Sequence, residues 1–440
     1  MIDCLTNIAP RDARLASLLV AGICLVTLPA RSETLRSLAS AQVVTNLPFD
    51  IQLAAAKDLG LRRARIGIRI YEVEKAGGTY DWSVTDIRIR GLMTAGLTPI
   101  VTLFGRTRLT ERAPAESDGR VPLSDREIRA FADFSAQVAR RYGAMHEGRK
   151  IVYEIWNEPN TKTFWGSPPD PEAYARLAET TCRAIHDQAP TATVVGLAME
   201  GTPLNKPYYV RSYGLDIYRE WSARAATQQL MKCLDGISLH PYRREPETYL
   251  TENADLLRFL SEHGRKETNP LIVNSEWGYS VGAKSAADAT EQAALDLRLL
   301  LIGAGFQRIT NLYQLIDGGT DPGDVRHQYG LFTSTGTSKP AGSAITRLLK
   351  AIGDYEIDSV ESVPELSGVI RFRAHQNGQQ KRVAEVLWRS SGETAVSVDQ
   401  LGAGRPVLVK DLVSNRDLPL DAPTLTVGRS PLLLLFEAAP

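Results

Sequence analysis

The feature that most limits how this chain can fold is a regular alternation of helix-like and strand-like segments running from about residue 48 to 350. Stretches 49–60, 83–95, 124–143, 170–188, 210–231, 246–263, 284–305 and 338–350 carry the helical pattern. Short apolar runs at 62–70, 97–104, 150–156, 193–198, 235–240, 270–275 and 308–315 lie between them as strands, with a further short strand over 43–46 in front. Strands joined by helical crossovers require a parallel sheet, and eight such units suit a closed barrel better than an open doubly wound sheet. An open nucleotide-binding sheet would also place a glycine-rich phosphate turn after its first strand, and the sequence has none. The predicted fold is therefore α/β, a (β/α)8 barrel over 42–351. Beyond 352 the period falls to two, with runs at 368–374, 382–388, 394–398, 406–409 and 431–436 separated by turn residues. This predicts a small all-β sandwich over 352–440, a supporting module without carboxylate or histidine clusters, in which Trp388 reads as a core residue.

Residues 1–41 read as a secretory leader. Arg11 and Arg14 precede an apolar run over 15–28, and small residues follow at Ala30 and at Ala39, Ser40 and Ala41, so cleavage is expected after Ala30 or after Ala41. The alternative is an uncut membrane anchor, for which the apolar run is short. The expected location is periplasmic or secreted, with membrane contact only if the leader stays. The 51 basic and 51 acidic side chains give a formal charge of zero, which offers no support for a nucleic-acid partner or an anionic membrane surface. Loss of the leader would take Cys4 and Cys24 with it. Cys182 and Cys233 lack the spacing of a metal or redox motif and read by default as two buried thiols, with a bridge between them left open by the sequence.

Two glutamates stand where apolar strands end: Glu158 in Trp156-Asn157-Glu158-Pro159, and Glu276 in Asn274-Ser275-Glu276-Trp277. Strand ends of a barrel open into its mouth, and carboxylates are seldom buried without a use, so the pair reads as a catalytic site. Two carboxyl groups beside aromatic surface suit hydrolysis of a glycosidic bond. Glu154, deeper in the same strand as Glu158, reads as the buried partner of an arginine. No cofactor motif is present, and Asp321 and Asp324 lack calcium-loop spacing, so no metal is predicted.

These residues resemble the retaining glycoside hydrolases of the large barrel clan A, and in particular family 39, which includes β-xylosidases, α-iduronidases and bacterial exopolysaccharide hydrolases. Asn157-Glu158-Pro159 resembles the clan's acid/base motif on strand four, and Glu276 its nucleophile on strand seven. Arg65 resembles the arginine of strand two, and His240-Pro241-Tyr242 the family's motif after strand six. Tyr313 falls where many members carry a tryptophan on strand eight. The resemblance implies a double displacement in which Glu276 attacks the anomeric carbon and Glu158 serves first as acid and then as base. Asn157 would offer its amide to the sugar 2-hydroxyl, Arg65 and Tyr242 would hold Glu276 ionised, and His240 would bind sugar or position a carboxylate. Trp165 and Trp277 are candidate sugar platforms, and Trp156 would place apolar surface beside Glu158.

The expected substrate is a polysaccharide or oligosaccharide outside the cytoplasmic membrane. An exo-acting β-xylosidase is the alternative within the class, and a non-catalytic carbohydrate-binding protein of the cell envelope the alternative outside it.

Overall fold

The computed structural model describes residues 33–75, 78–105, 107, 124–145, 150–166, 168–210, 214–282, 286, 288–376, 382–401 and 404–437. Eight parallel strands close into a barrel in chain order. They are β1 (Ala39–Val43), β2 (Arg63–Arg69), β3 (Thr98–Phe104), β4 (Val152–Ile155), β5 (Thr193–Glu200), β6 (Gly236–His240), β7 (Leu271–Trp277) and β8 (Ile309–Leu312). Closure is made by β1 against β8, where Ala39, Ser40 and Ala41 pair with Thr310, Asn311 and Leu312. The connecting helices start where their sequences provide caps. Ser124 and Glu127 form a reciprocal capping box, and Asp170 and Asp288 accept from the first-turn amides of their helices.

The first strand lies earlier than the 43–46 expected from sequence. Ala39, Ser40 and Ala41 are small because they sit fully buried in the barrel wall, a composition that mimics a leader cleavage site. The barrel therefore reaches further toward the N-terminus than residue 42, and cleavage after Ala41 would remove three of the five residues of β1. Helix Leu35–Leu38, capped by Thr34, precedes the strand. Arg36 joins it to the rest of the molecule through the carbonyls of Gly60 and Leu349 and the carboxylate of Asp354. The segment expected as one helix over 210–231 is two, Leu215–Ala225 and Gln228–Cys233, with Thr227 capping the second.

After helix Pro340–Ile352 come the antiparallel strands β9 (Glu356–Val363), β10 (Val369–His375), β11 (Arg382–Trp388), β12 (Thr394–Ser397), β13 (Leu408–Asp411), β14 (Thr424–Val427) and β15 (Leu432–Glu437). Five form one sheet in the order β13-β15-β11-β10-β9, and β12 pairs with β14 in a second. Leu387, Val409 and Leu434 of the large sheet share a core with Val396 and Leu425 of the small one. The opposite face of the large sheet, with Ile370, Phe372, Trp388 and Leu433, merges into the barrel's own core. Trp388 is fully buried there and donates its indole N–H to Glu247 at 2.8 Å.

Cys182 and Cys233 are bonded to one another as a disulfide, the alternative to the default reading of two buried thiols. Their separation of 51 residues hid the pairing, because the helices that carry them meet only in the folded chain. Among the described residues, no helix is long and apolar enough to cross a membrane.

Candidate active site

Alternation along β2 turns Arg65, Gly67 and Arg69 toward the same pocket, which is also lined by Gln42, Thr45, Phe104, Asn157, Phe164, Glu276 and Tyr313. Gly67 is required by crowding. A Cβ at this position would lie 2.8 Å from a ring carbon of Phe104.

Arg65 organises the floor of the pocket. Its Nε and Nη2 donate to Glu154 Oε2 at 2.9 and 2.6 Å, Nη1 donates to Gln42 Oε1 at 2.9 Å and to Glu276 Oε2 at 3.1 Å, and Nη2 also reaches Asn157 Oδ1 at 2.8 Å. These contacts use every N–H that a guanidinium owns. Burial works against the arginine's charge, but Glu154 and Glu276 outweigh it and hold the proton more firmly than usual. Glu154 is wholly buried, takes a further 2.7 Å bond from Thr102 and is kept below the ordinary carboxylate range because Arg65 and His240 overcome its desolvation. It is the arginine partner expected from sequence.

The chain after β4 is bent sharply. Trp156 and Glu158 both adopt the left-handed region, with φ of 71° and 44°, which non-glycine residues occupy only when their surroundings fix them. Two backbone bonds do so, from Trp156 N–H to the Leu103 carbonyl and from Glu158 N–H to the Ala198 carbonyl, both 2.8 Å. The bend turns the Trp156 indole away from the pocket, onto Phe131 and Trp165, and brings the Glu158 carboxyl to His240.

His240 is fully buried at the end of β6, with Nδ1 2.9 Å from Glu158 Oε1 and 3.9 Å from Glu276 Oε2. Burial lowers its proton affinity, against the charge of Glu276. Its Nε2 faces Arg65 Nη2 at 3.5 Å, and an arginine can only donate, which assigns the ring proton to Nδ1 and makes the histidine a donor to Glu158. Tyr242, two residues on, donates its hydroxyl to Glu276 Oε1 at 2.9 Å.

The two glutamates thus approach one another with different partners. One carboxylate oxygen from each, together with a His240 ring nitrogen, lies within 4.8 Å of the others. Glu276 receives a charged N–H and a hydroxyl, while Glu158 receives one imidazole N–H. Burial raises Glu158 to about 7, with Arg65 opposing and Glu154 reinforcing the shift. Burial and the Glu158 charge also raise Glu276, against His240, Arg65 and Tyr242. One guanidinium cannot compensate three carboxylates, and the group with the poorest donors keeps its proton. Glu158, His240 and Glu276 are metal ligands in kind, but Arg65 already supplies the positive charge at Glu276. Cys182 and Cys233 lie near His186 but are committed to their disulfide.

The structure therefore brings Arg65, Asn157, Glu158, His240, Tyr242, Glu276 and Tyr313 together. It does not bring the three tryptophans. Trp165 is buried between Trp156 and Tyr174, and Trp277 against Tyr249 and Arg243, so neither presents a face to the pocket. Phe104 and Phe164, packed edge to face 6.3 Å apart, supply its apolar wall instead. Tyr313 packs on Tyr329 and is joined to Gln314 by a cis peptide. Close approach of β7 and β8 is allowed by Gly278, where a Cβ would fall 2.0 Å from the Tyr313 carbonyl oxygen. Glu200, at the end of β5, was not singled out from sequence. Its side chain accepts from Tyr218 at 3.1 Å, and a β-bulge at Leu197 and Ala198 hides it from the strand's alternation.

No family model and no curated protein sequence matches the chain. Solved structures do match. A family 39 glycoside hydrolase from the gut symbiont Bacteroides cellulosilyticus superposes with a TM-score of 0.69 at 17% identity, over 92% of this chain and 81% of that one. A monomeric β-xylosidase from Caulobacter crescentus gives 0.61 at 15%, over 93% and 98% of the two chains. A GH30 endoxylanase from Clostridium papyrosolvens gives 0.59 at 14%, over 92% and 97%. The chain has the (β/α)8-barrel fold of clan A glycosidases, and the match extends through the barrel and the β-domain.

Proposed function

We propose that the protein is a retaining O-glycoside hydrolase related to family 39, with Glu276 as nucleophile and Glu158 as acid/base. The observation that carries this reading is the unequal donor set on two carboxylates whose oxygens approach within 4.8 Å. Carboxyl groups about 5–5.5 Å apart suit direct attack, whereas inverting enzymes keep them about 6.5–9.5 Å apart to admit a water. Glu276 attacks the anomeric carbon as Glu158 passes its proton to the departing glycosidic oxygen. Glu158, now a carboxylate, then takes a proton from water, whose oxygen displaces Glu276 from the sugar. Asn157, with Oδ1 held by Arg65, has its amide NH2 end available for the sugar 2-hydroxyl.

The substrate we propose is a polysaccharide outside the cytoplasmic membrane. A leader over the first 30 or so residues and a disulfide, which persists in oxidising compartments, both support this location. An exo-acting β-xylosidase is the second reading, favoured by the likeness to the Caulobacter enzyme. Product size against time separates them: early intermediate oligomers fit internal cleavage, and single sugars from the start fit the xylosidase. The catalytic assignment is tested with Glu276→Ala. Turnover should disappear with the fold intact, and azide should restore it with inverted product stereochemistry. Undiminished turnover would overturn the assignment.

A further inference from the structure

Away from the catalytic mouth, three metal-ligating side chains converge on one corner of the barrel. Cys182 and His186 lie four residues apart on helix Pro171–Gln188, a spacing that puts both side chains on one face. Cys233, the last residue of helix Gln228–Cys233, meets them there. The two sulfurs and a ring nitrogen of His186 all lie within 4.8 Å of one another. Asp235 stands behind the ring, with Oδ2 3.5 Å from His186 Nε2. It comes just before β6, whose far end carries His240. The disulfide accounts for the cysteines, but it requires neither an imidazole beside it nor a carboxylate behind the imidazole.

These positions do not depend on the bond between the sulfurs. Val194 N–H donates to Asp235 Oδ2 at 2.7 Å, and Asp235 N–H to the Val194 carbonyl at 2.9 Å, which pins the aspartate to β5. Arg265 holds the same turn through the carbonyls of Leu234 and Asp235. Thr227 caps the Cys233 helix, and Ile185 and Leu230, one from each cysteine's helix, are fully buried in the barrel's core. Opening the disulfide therefore leaves two thiols facing each other with the imidazole beside them.

We propose that the chain binds one Zn2+ at this corner when the Cys182–Cys233 bond is reduced, through both thiolates and the His186 ring, with a water in the fourth position. Two thiolates and an imidazole are a donor set that suits Zn2+, and Asp235 fixes the ring as carboxylates commonly do for ligating histidines. Zn–S and Zn–N bonds of about 2.3 and 2.0 Å place ligand atoms roughly 3.5–3.8 Å apart, so the thiols part and the ring draws in by about 1 Å. Water reaches the fourth position because the side chains of His186 and Asp235 are 27% and 43% exposed. Reduction is a two-electron exchange with a dithiol. One of its thiolates attacks a cysteine sulfur and its second thiol displaces that cysteine, so it departs as a cyclic disulfide and leaves Cys182 and Cys233 as two thiols. Zn2+ then displaces both thiol protons to solvent. The corner holds either a bond between sulfurs or an ion, never both.

Full-length protein carrying Cys4→Ser and Cys24→Ser is used throughout, so that Cys182 and Cys233 are its thiols. It is reduced by a phosphine, which becomes a phosphine oxide with the oxygen of water, and titrated with Zn2+ against a chromophoric chelator. Co2+ serves as a second probe, through its thiolate charge-transfer band. Reduced protein should take up one ion per chain and oxidised protein none. His186→Ala should weaken Zn2+ binding by more than about 10-fold, and Asp235→Asn by roughly 10-fold. No uptake by reduced protein, or uptake unaltered in His186→Ala, would overturn the proposal. Thermal melts cover the case in which reduction loosens the fold. Zn2+ should raise the Tm of reduced protein above its value in EDTA and leave the oxidised protein unmoved; a reduced chain equally unstable with and without Zn2+ would count against the site as decisively. Turnover plays no part in these readings, so the catalytic assignment stands or falls separately.

Discussion

Tyr242 fixes one oxygen of Glu276 while Arg65 fixes the other: the tyrosine hydroxyl donates to Oε1 at 2.9 Å, and the guanidinium to Oε2 at 3.1 Å. The carboxylate is held at both oxygens by donors from β2 and from the segment just after β6. A hydrogen bond to a charged group contributes about 1.5–3 kcal/mol, so Tyr242→Phe should lower kcat/KM by roughly 10- to 150-fold. The lost donor favoured the ionised form. Glu276 should therefore need a higher pH to ionise, and the acid limb of the pH profile should move upward.

Glu158 should make the protein less stable as the solution becomes more alkaline. Its carboxyl titrates near 4.5 when unfolded and at about 7 when folded, so the folded state binds more protons between those values. Stability falls as pH rises across that window and levels off above it. Glu158→Gln carries no such cost. Thermal denaturation should show its Tm advantage over wild type growing from pH 4 to pH 8; an equal difference at both would contradict the buried-proton account.

The disulfide closes a loop between residues 51 apart, for which chain-entropy arguments give about 4 kcal/mol. Cys182→Ser with Cys233→Ser should lose stability of that order in urea unfolding. Native protein should show neither of these thiols to a titrating reagent until it is reduced.

Trp165 should behave as a core residue and Phe104 as a pocket residue. Trp165→Ala should cost about 3–5 kcal/mol in stability, because the indole is enclosed by Trp156 and Tyr174. Phe104→Ala should raise KM on oligosaccharides several-fold with a smaller change in Tm. A Trp165→Phe variant with intact Tm and sharply raised KM would return the tryptophan to the role of sugar platform.

The sequence pointed to Glu158 and Glu276 because each ends an apolar strand, and to Arg65 and Tyr242 through the family resemblance; the barrel brings the four side chains together at one mouth. The places of the tryptophans were not legible, since residue type says nothing about which way an indole turns once the backbone leaves the strand. Trp156 turns outward because its φ is positive, which no periodicity records. Glu200 escaped for a related reason: the bulge at Leu197 and Ala198, both with positive φ, breaks the alternation that would have pointed it inward. The first strand was misplaced because a short run of small residues suits a barrel wall and a processing site equally well.

Arg65 has no donor left for a visitor. Five N–H groups meet Glu154, Gln42, Glu276 and Asn157, so an arriving hydroxyl must be greeted by side chains around the guanidinium, such as Asn157, Thr45 and Tyr313. On the proposed assignment, holding Glu276 and meeting the sugar then fall to separate residues, so side chains at the rim can be exchanged without disturbing the contacts that fix the carboxylate.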